Sequence, residues 1–129
     1  MMTWFAIALG AALGAPARFA VDRYFVRTRG TKLPYGTFVV NSIGSLILGF
    51  MTGLVLNLAA GQSAGWQFAL NMIGTGFCGA LTTFSGWTSQ IFELSRKPLR
   101  ATGTYYALAS VVLGFGLATI GYALGTFVA

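Results

Sequence analysis

The order of apolar and polar residues divides the chain into four long apolar segments joined by shorter polar ones. The apolar segments cover approximately residues 2–19, 35–58, 66–92 and 102–127. A helix needs about 20 apolar residues to cross a hydrocarbon layer about 30 Å thick, so each segment is long enough for one crossing. The pattern therefore predicts an all-α membrane protein, in which residues 1–129 form a single domain of four transmembrane helices.

The composition agrees with this prediction and excludes several classes of function. Hydrophobic residues make up 56% of the chain and charged residues only 8%, whereas about a quarter of the residues in a soluble domain are charged. The chain has no His, one Cys and two carboxylate side chains, Asp22 and Glu93. General acid–base catalysis and metal-assisted hydrolysis depend on such side chains. We therefore predict that the protein is not an enzyme.

The basic residues predict how the chain is oriented in the membrane. All 8 of them lie in or beside the first and third polar segments: Arg18, Arg23, Arg27, Arg29, Lys32, Arg96, Lys97 and Arg100. Loops rich in Lys and Arg remain on the cytoplasmic side. We therefore expect both basic loops in the cytoplasm, both termini outside, and the protein in the plasma (inner) membrane. The net charge of +6 then suits anionic lipid headgroups, and no nucleic-acid partner is expected.

Small residues recur at a spacing that is typical of tightly packed membrane helices. Pairs or triplets four residues apart occur in three places: Gly10 and Gly14; Ser45, Gly49 and Gly53; and Gly121 and Gly125. Such faces let helix backbones approach closely in lipid. Four helices form a bundle that is too thin to enclose a pore alone, so we also expect a dimer.

Two of the apolar segments carry polar side chains on one helical face. Thr37 and Asn41 are one turn apart in the second segment, and Tyr106 and Ser110 are one turn apart in the fourth. An amide in hydrocarbon is costly unless it has a partner. Two interpretations of Asn41 are therefore open: a hydrogen bond between helices, or a place in a polar pathway through the membrane.

The third apolar segment is a poor candidate for one continuous helix. Residues 74–90 combine several glycines with Thr and Ser, which have low helix propensity. We predict a break near residues 79–83. Backbone groups freed in this way survive in a membrane only inside protein or beside water, and broken helices commonly bind ions. The alternative is an unbroken, flexible helix in which the glycines serve packing.

The polar groups inside the segments favour an anion as the transported species. No acidic residue lies near the middle of any segment. This argues against a small proton-coupled multidrug exporter, because exporters of this size and plan depend on a glutamate in the first helix. The donors that remain are neutral amides and hydroxyls, together with aromatic rings, whose edges are positive.

At these residues the sequence resembles the Fluc/CrcB fluoride ion channel family over nearly its whole length. The resemblance is carried by residues 36–45 (GTFVVNSIGS) and, most specifically, by residues 76–85 (GFCGALTTFS). An early Gly-x-x-x-Arg pattern of the family is matched by Gly14 and Arg18. The resemblance implies a passive, fluoride-selective channel that exports cytoplasmic fluoride and relieves its toxicity.

The resemblance also implies an architecture and a set of site residues. The architecture is an antiparallel, dual-topology dimer with two pores and a structural sodium ion at its centre. Backbone carbonyls of Gly79 and Thr82 would bind the sodium ion. The fluoride pathway would include Thr37, Asn41, Thr83, Phe84, Ser85, Trp87, Tyr106 and Ser110. A narrow pathway of this kind must replace the water around fluoride with hydrogen-bond donors and ring edges.

Two residues depart from the family's pattern, and the charge distribution raises a further possibility. Trp87 stands where the family usually has a second pore Phe, and Gln90 stands where it often has Glu. Trp87 keeps an aromatic edge and adds an N–H donor. An inverted homodimer requires little orientation bias, yet here the basic residues are all on one side. The partner is therefore either a second copy or an oppositely oriented homologous subunit, in a heterodimer with one degenerate pore.

Overall fold

The structure, a computed structural model, describes residues 1–58, 63–96 and 101–129, and every regular element in these ranges is helical. The predicted middle-loop residues 59–62 and the basic residues Lys97 and Arg100 lie outside the described ranges. The elements in chain order are α1 (Met2–Arg29), α2 (Tyr35–Asn57), α3 (Ala64–Ala69), a π-helix (Leu70–Cys78), α4 (Gly79–Leu81), α5 (Phe84–Ser95) and α6 (Ala101–Val128).

The predicted fold class is confirmed for the monomer. Among the described residues, α1, α2 and α6 are each long and apolar enough to cross a membrane. The fourth crossing is the third in sequence and consists of the helical run 64–81 followed by α5. The predicted span 102–127 agrees with α6 to within a residue at each end. The single-domain assignment stays a prediction.

The first helix is longer than the hydropathy pattern predicted. We expected it to end near Phe19, but α1 continues to Arg29 and passes through Pro16 without ending. The next glycine or proline after Pro16 is Gly30, which ends the helix with φ of 73°. Hydropathy marks where apolar residues stop, whereas the helix stops where its backbone must turn. The polar segment that we interpreted as a loop is therefore mostly helical.

The glycine faces predicted from sequence form two close helix contacts. In the first, α2 packs along α6: a Cβ atom at Gly49 or Gly53 would overlap the carbonyl oxygen of Ala118 or Tyr122. From the other side, a Cβ atom at Gly121 would overlap the backbone of α2. These backbones approach closely because lipid offers no hydrophobic driving force and van der Waals contact must supply the attraction.

The second close contact joins α1 to the helical run 64–81. A Cβ atom at Gly10 would overlap the Met72 carbonyl oxygen, and one at Gly14 would overlap that of Phe77. From the other helix, Gly76 lies against the Ile7 carbonyl. These contacts fix the third crossing against α1 just ahead of the place where it breaks.

The third crossing is broken where the sequence predicted, so the interpretation as an unbroken helix is wrong. Thr82 has ψ of 159° and Thr83 has φ of −148°, both extended conformations. The π-helix before the break was not predicted. A π-helix differs from an α-helix by one residue in hydrogen-bond spacing and is rare, so propensity does not distinguish the two.

Candidate ion pathway at the helix break

The break in the third crossing is held open by the side-chain amide of Asn41. Its Nδ2 donates to the carbonyl oxygen of Thr83 at 3.2 Å, and its Oδ1 accepts from the backbone N–H of Thr83 at 2.9 Å. The amide therefore replaces the helical acceptor of the Thr83 N–H and adds a donor to the Thr83 carbonyl, which as the N-cap carbonyl also accepts the first hydrogen bond of α5. This is the interhelical hydrogen bond considered in the sequence analysis, and it is made at the place where a pathway was also expected.

The neighbouring residue of the break is held from α1. Arg18 Nη1 donates to the carbonyl oxygen of Thr82 at 3.3 Å. The Thr82 hydroxyl donates to the Cys78 carbonyl at 2.8 Å, and its methyl group lies where a Cβ atom at Gly44 would be. Arg18 thus brings a positive charge to a half-buried position beside freed backbone.

Helix α5 begins at the break with a capped N-terminus. The Thr83 hydroxyl accepts from the backbone N–H of Gly86 at 3.1 Å, as an N-cap residue does. It also lies 3.3 Å from the Ser85 hydroxyl. The N-terminal end of a helix carries a partial positive charge, so α5 adds to a field that favours anions at this place.

Three side chains from three helices form a second polar connection. Gln90 Nε2 on α5 donates to the Thr37 hydroxyl oxygen on α2 at 2.7 Å. The Tyr106 hydroxyl on α6 donates to Gln90 Oε1 at 3.1 Å. Thr37 is only 6% exposed, so this bridge joins α2, α5 and α6 inside the protein.

Two open grooves flank the break. The larger, here called the Asn41 groove, has a volume of about 540 Å³, and its polar lining includes Asn41, Ser45, Thr75, Thr82 and Thr83, with the rings of Phe84 and Trp87. The smaller, here called the Arg18 groove, has a volume of about 370 Å³ and is lined by Arg18, Asp22, Thr37, Thr83, Ser85 and Gln90, among others.

The two grooves differ in the charges that line them. Among the described residues, no carboxylate lines the Asn41 groove, which suits an anion. Arg18 and Asp22 both line the Arg18 groove, and Asp22 and Glu93 are exposed.

The aromatic residues of the break lie next to each other on α5. The ring centroids of Phe84 and Trp87 are 5.5 Å apart, with an angle of 44° between the planes. Phe84 is 75% exposed in the single chain. The indole nitrogen of Trp87 is buried and has no hydrogen-bond partner.

The structure brings most of the sequence-predicted pathway residues together, and one lies apart. Asn41, Thr83, Phe84 and Trp87 line the Asn41 groove, whereas Thr37 and Ser85 line the Arg18 groove and Tyr106 reaches the latter through Gln90. Ser110 instead donates to the Tyr106 carbonyl at 2.7 Å and lines a separate groove with Ser45.

Two contributors to the site were underestimated from the sequence. Arg18 was noted only as part of a motif and as one of the basic residues that predict the orientation, although a lone Arg between apolar residues is a signal of an intramembrane function. Gln90 was noted only as a departure, although its amide links Thr37 to Tyr106. The informative signal at Arg18 was a charged group between apolar residues on both sides, whereas Gln90 lies among other polar residues and gave no such signal.

The carbonyls that the resemblance assigns to sodium are two that the break frees from helical hydrogen bonds. In a continuous helix the N–H groups of Thr83 and Gly86 would serve the carbonyls of Gly79 and Thr82. Here they donate to Asn41 and to the Thr83 hydroxyl instead, so both carbonyls lose their helical donors. Oxygen ligands are those that hard cations prefer. One chain supplies only part of a coordination shell, and Arg18 already donates to the Thr82 carbonyl.

Comparison with known proteins gives a consistent picture over almost the whole chain. The model of a family described as "CrcB-like protein, Camphor Resistance (CrcB)" matches residues 5–122. A protein of Frankia casuarinae named "Fluoride-specific ion channel FluC 1" is 36% identical over 95% of each chain. Proteins named as fluoride-specific ion channels from Thermococcus kodakarensis and Symbiobacterium thermophilum are 40% and 39% identical, over 92% and 96% of this chain and 92% and 98% of theirs. The names describe ion channels and not enzymes, and by these matches the chain belongs to the CrcB family.

Proposed function

We propose that the chain is a subunit of a passive, fluoride-selective ion channel that exports fluoride from the cytoplasm. The observation that carries the proposal is the helix break, which Asn41 pairs through neutral hydrogen bonds and which lies beside Arg18, the only basic residue of the described ranges that lines either groove. Relatives named as fluoride-specific ion channels agree with it.

The physical basis for export is the difference between a neutral acid and its anion. Outside the cell, fluoride meets protons and crosses the membrane as neutral HF; inside, at higher pH, it is trapped as the anion. A negative-inside potential drives the anion out through a selective pathway, without ATP. Such a channel relieves fluoride toxicity and needs no titratable residue in the membrane.

The pathway that we propose follows the two grooves. Fluoride would meet Arg18, Thr37 and Ser85 in the Arg18 groove, and Asn41, Thr83 and the two rings in the Asn41 groove. Tyr106 would act through Gln90, and Ser110 would contribute least because its proton is already donated within α6. Replacement of hydration water by such donors is what a narrow filter requires.

We propose an antiparallel, dual-topology dimer as the functional unit. Phe84 is largely exposed on the single chain although it borders the Asn41 groove, and Thr75 and Gly79 on the same groove are exposed as well. A second copy would cover these residues and close the open side. It would also bring the Gly79 and Thr82 carbonyls of both chains towards one another, where a structural sodium ion would hold the two breaks together.

The orientation in the plasma (inner) membrane rests on the distribution of basic residues. The helical extension of α1 carries Arg23, Arg27 and Arg29 beyond the apolar part of the helix. Anionic lipid headgroups attract such residues on the cytoplasmic side. We therefore expect both basic loops to lie in the cytoplasm in the dominant orientation of this chain, whereas an inverted second copy in a homodimer would have them outside.

The test is fluoride efflux from liposomes that contain the purified chain, with chloride as the control anion. Rapid efflux that is selective for fluoride and does not depend on pH would support both the function and a competent homodimer. No efflux from well-folded protein would contradict the homodimer, and the chain would then be reconstituted with an oppositely biased homologous subunit. Absence of fluoride efflux with that pair would contradict the proposed channel function.

The strong charge bias favours a heterodimer as the second candidate assembly. All basic residues lie on one side of the predicted topology, so a single orientation is expected to dominate. Reporter fusions at the C-terminus measure this directly. One orientation would support a heterodimer in which one pore is degenerate, whereas equal amounts of both would contradict it.

A further inference from the structure

The carboxylate of Asp22 is the feature of the Arg18 groove that does not suit an anion. Asp22 is one of two acidic residues in the chain, and it lines the groove through which we propose that fluoride passes. The other acidic residue, Glu93, does not line that groove. Like charges repel one another even across water. The position of Asp22 therefore calls for an explanation.

Asp22 lies where two cavities meet. Next to the Arg18 groove is a further cavity of about 190 Å³, here called the loop cavity, which is lined by the C-terminal part of α1, by residues 30–36 and by α5. Three residues line both the loop cavity and the Arg18 groove: Asp22, Gly36 and Gln90. An ion that moves from one cavity to the other therefore passes beside the Asp22 carboxylate.

Contacts with neighbouring helices fix this boundary. A Cβ atom at Gly36 would lie 2.6 Å from Asp22 Oδ1 and 2.7 Å from Asp22 Cα, so the glycine leaves the room that Asp22 occupies. Gln90 is held by its hydrogen bonds with Thr37 and Tyr106. Because Asp22 is exposed in spite of its contact with α2, its charge is accessible to an ion at the boundary.

Arg18 explains why a carboxylate at this boundary is useful. Arg18 and Asp22 are one helical turn apart on α1 and line the same groove. The Arg18 guanidinium donates to the neutral carbonyl of Thr82, so its positive charge stays available to an anion. A channel must bind its ion well enough to admit it and weakly enough to release it. A negative charge near Arg18 weakens binding and favours release.

We propose that the Asp22 carboxylate weakens the binding of fluoride beside Arg18 and thereby speeds the passage of the ion between the Arg18 groove and the loop cavity. The inference deepens the proposed channel function and rests on it. Removal of the charge should strengthen binding, so that a lower fluoride concentration gives half of the maximal flux. It should also lower the maximal flux, because the ion leaves more slowly.

The competing explanation is that Asp22 serves only the stability of α2. This helix begins at Tyr35, beside the Gly36 contact, and its N-cap residue Pro34 provides no side-chain hydrogen bond. A carboxylate near a helix N-terminus stabilises the helix. In that case the loss of Asp22 would lower thermal stability and would leave the half-saturating fluoride concentration unchanged.

The experiment measures initial fluoride efflux from liposomes over a series of internal fluoride concentrations, together with thermal stability. Asp22→Asn removes the charge and keeps the shape of the side chain, and Asp22→Ser removes the charge but keeps a group that suits a helix N-terminus. Glu93→Gln is the matched control, because Glu93 is an exposed carboxylate that lines the loop cavity but not the Arg18 groove. All variants are measured in the assembly that conducts, either the chain alone or the pair with an oppositely biased subunit.

The expected result is a fall of about two- to fivefold in the half-saturating fluoride concentration of both Asp22 variants, the effect that a unit charge at about 4–8 Å supports in water. Their maximal flux should fall as well, and Glu93→Gln should change less. In about 1 M of an inert salt the difference should shrink, because the screening length is then about 3 Å.

An unchanged half-saturating concentration would overturn the inference, whether or not stability is lower, and so would an equal shift in Glu93→Gln. Absence of fluoride flux in the unmodified protein, both alone and in the pair, would instead overturn the proposed function. The two failures are therefore distinguishable.

A variant of opposite sign keeps the inference testable if neither Asp22 variant folds. Gln90→Glu adds a second carboxylate at the same boundary and leaves Asp22 and its contact with Gly36 in place. It should raise the half-saturating fluoride concentration by about two- to fivefold, for the same electrostatic reason. An unchanged or lower value would contradict control of ion binding by charge at this boundary.

Discussion

The α2–α6 contact and the helix break both join neighbouring helices within a membrane, but they do so by opposite means. Along α2 and α6, Gly49, Gly53 and Gly121 remove side chains so that two complete helices can touch through their backbones. At the break the helix itself is incomplete, and Asn41 and Arg18 supply side chains that pair with the freed backbone.

The difference shows how a small membrane protein can use one region for stability and another for transport. A complete helix satisfies its own backbone and needs only shape from its neighbour. An interrupted helix exposes backbone dipoles that can serve an ion, but each unused dipole must be paired by a neighbour. Disturbing the first region should therefore destroy the fold, while disturbing the second should first affect transport.

The largest expected effect comes from filling the glycine contact. In Gly121→Leu, a side chain would have to occupy the position of the α2 backbone near Leu46 and Phe50, and overpacking even an ordinary core costs about 1–3 kcal/mol. We expect no monodisperse protein in size-exclusion chromatography. Gly116→Leu is the matched control, since Gly116 has open space around it in the single chain; equal behaviour of the two variants would contradict the comparison.

The next effect comes from removing the amide that holds the break. Asn41→Leu leaves the N–H of Thr83 without its partner, at about 1–3 kcal/mol, and removes the second donor of the Thr83 carbonyl. Asn41→Asp keeps an acceptor for the Thr83 N–H but places a negative charge in the anion pathway. We expect Asn41→Leu to lower thermal stability and Asn41→Asp to suppress fluoride flux with a smaller loss of stability. Unchanged flux in folded Asn41→Asp would remove Asn41 from the pathway.

A smaller effect is expected at the bridge between α2, α5 and α6. Gln90→Met keeps the approximate size of the side chain and loses the hydrogen bonds to Thr37 and Tyr106. Each such bond contributes about 0.5–1.5 kcal/mol, and we expect a fluoride flux several-fold below wild type. Gln90→Glu retains acceptors for both hydroxyl groups and should keep more thermal stability than Gln90→Met; the reverse order of stability would contradict a bridging function.

The smallest effect is expected at Ser110. Its hydroxyl donates to the carbonyl of Tyr106 one turn earlier in the same helix, and such a bond is redundant with the helix itself. Ser110→Ala should leave flux within about twofold of wild type and stability within about 0.5 kcal/mol, as is usual for changes away from critical contacts. A large loss of flux would place Ser110 in the pathway after all.

The sequence predicted those parts of the fold that depend on local composition. The four crossings followed from hydropathy, the close contacts from glycines four residues apart, and the break from the glycines and hydroxyl residues around Thr82. The continuation of α1 to Arg29 was missed because hydropathy shows where the apolar residues end and not where the helix ends. The π-helix was missed because its difference from an α-helix lies in backbone hydrogen bonding.

The sequence predicted which residues belong to the candidate site, but it did not predict which of them form hydrogen bonds with one another. Asn41 and Thr83 were both named, but their pairing joins residues 42 positions apart, which no local pattern encodes. The same applies to Arg18 and Thr82 and to the bridge through Gln90. Which residue faces which groove depends on how the helices are rotated about their axes, and that is fixed by tertiary packing.

The π-helix gives the chain one place where its length could change without moving the break. A π-helical turn contains one residue more than an α-helical turn between hydrogen-bonded groups, and residues 70–78 lie just before the broken segment. Deleting one residue there, with the wider turn reverting to an ordinary one, would leave every later residue in its place against α2, and Thr83 would still meet Asn41. A deletion between residue 78 and the break would instead rotate the later residues by about 100°, so length is constrained there more strictly than within the π-helix.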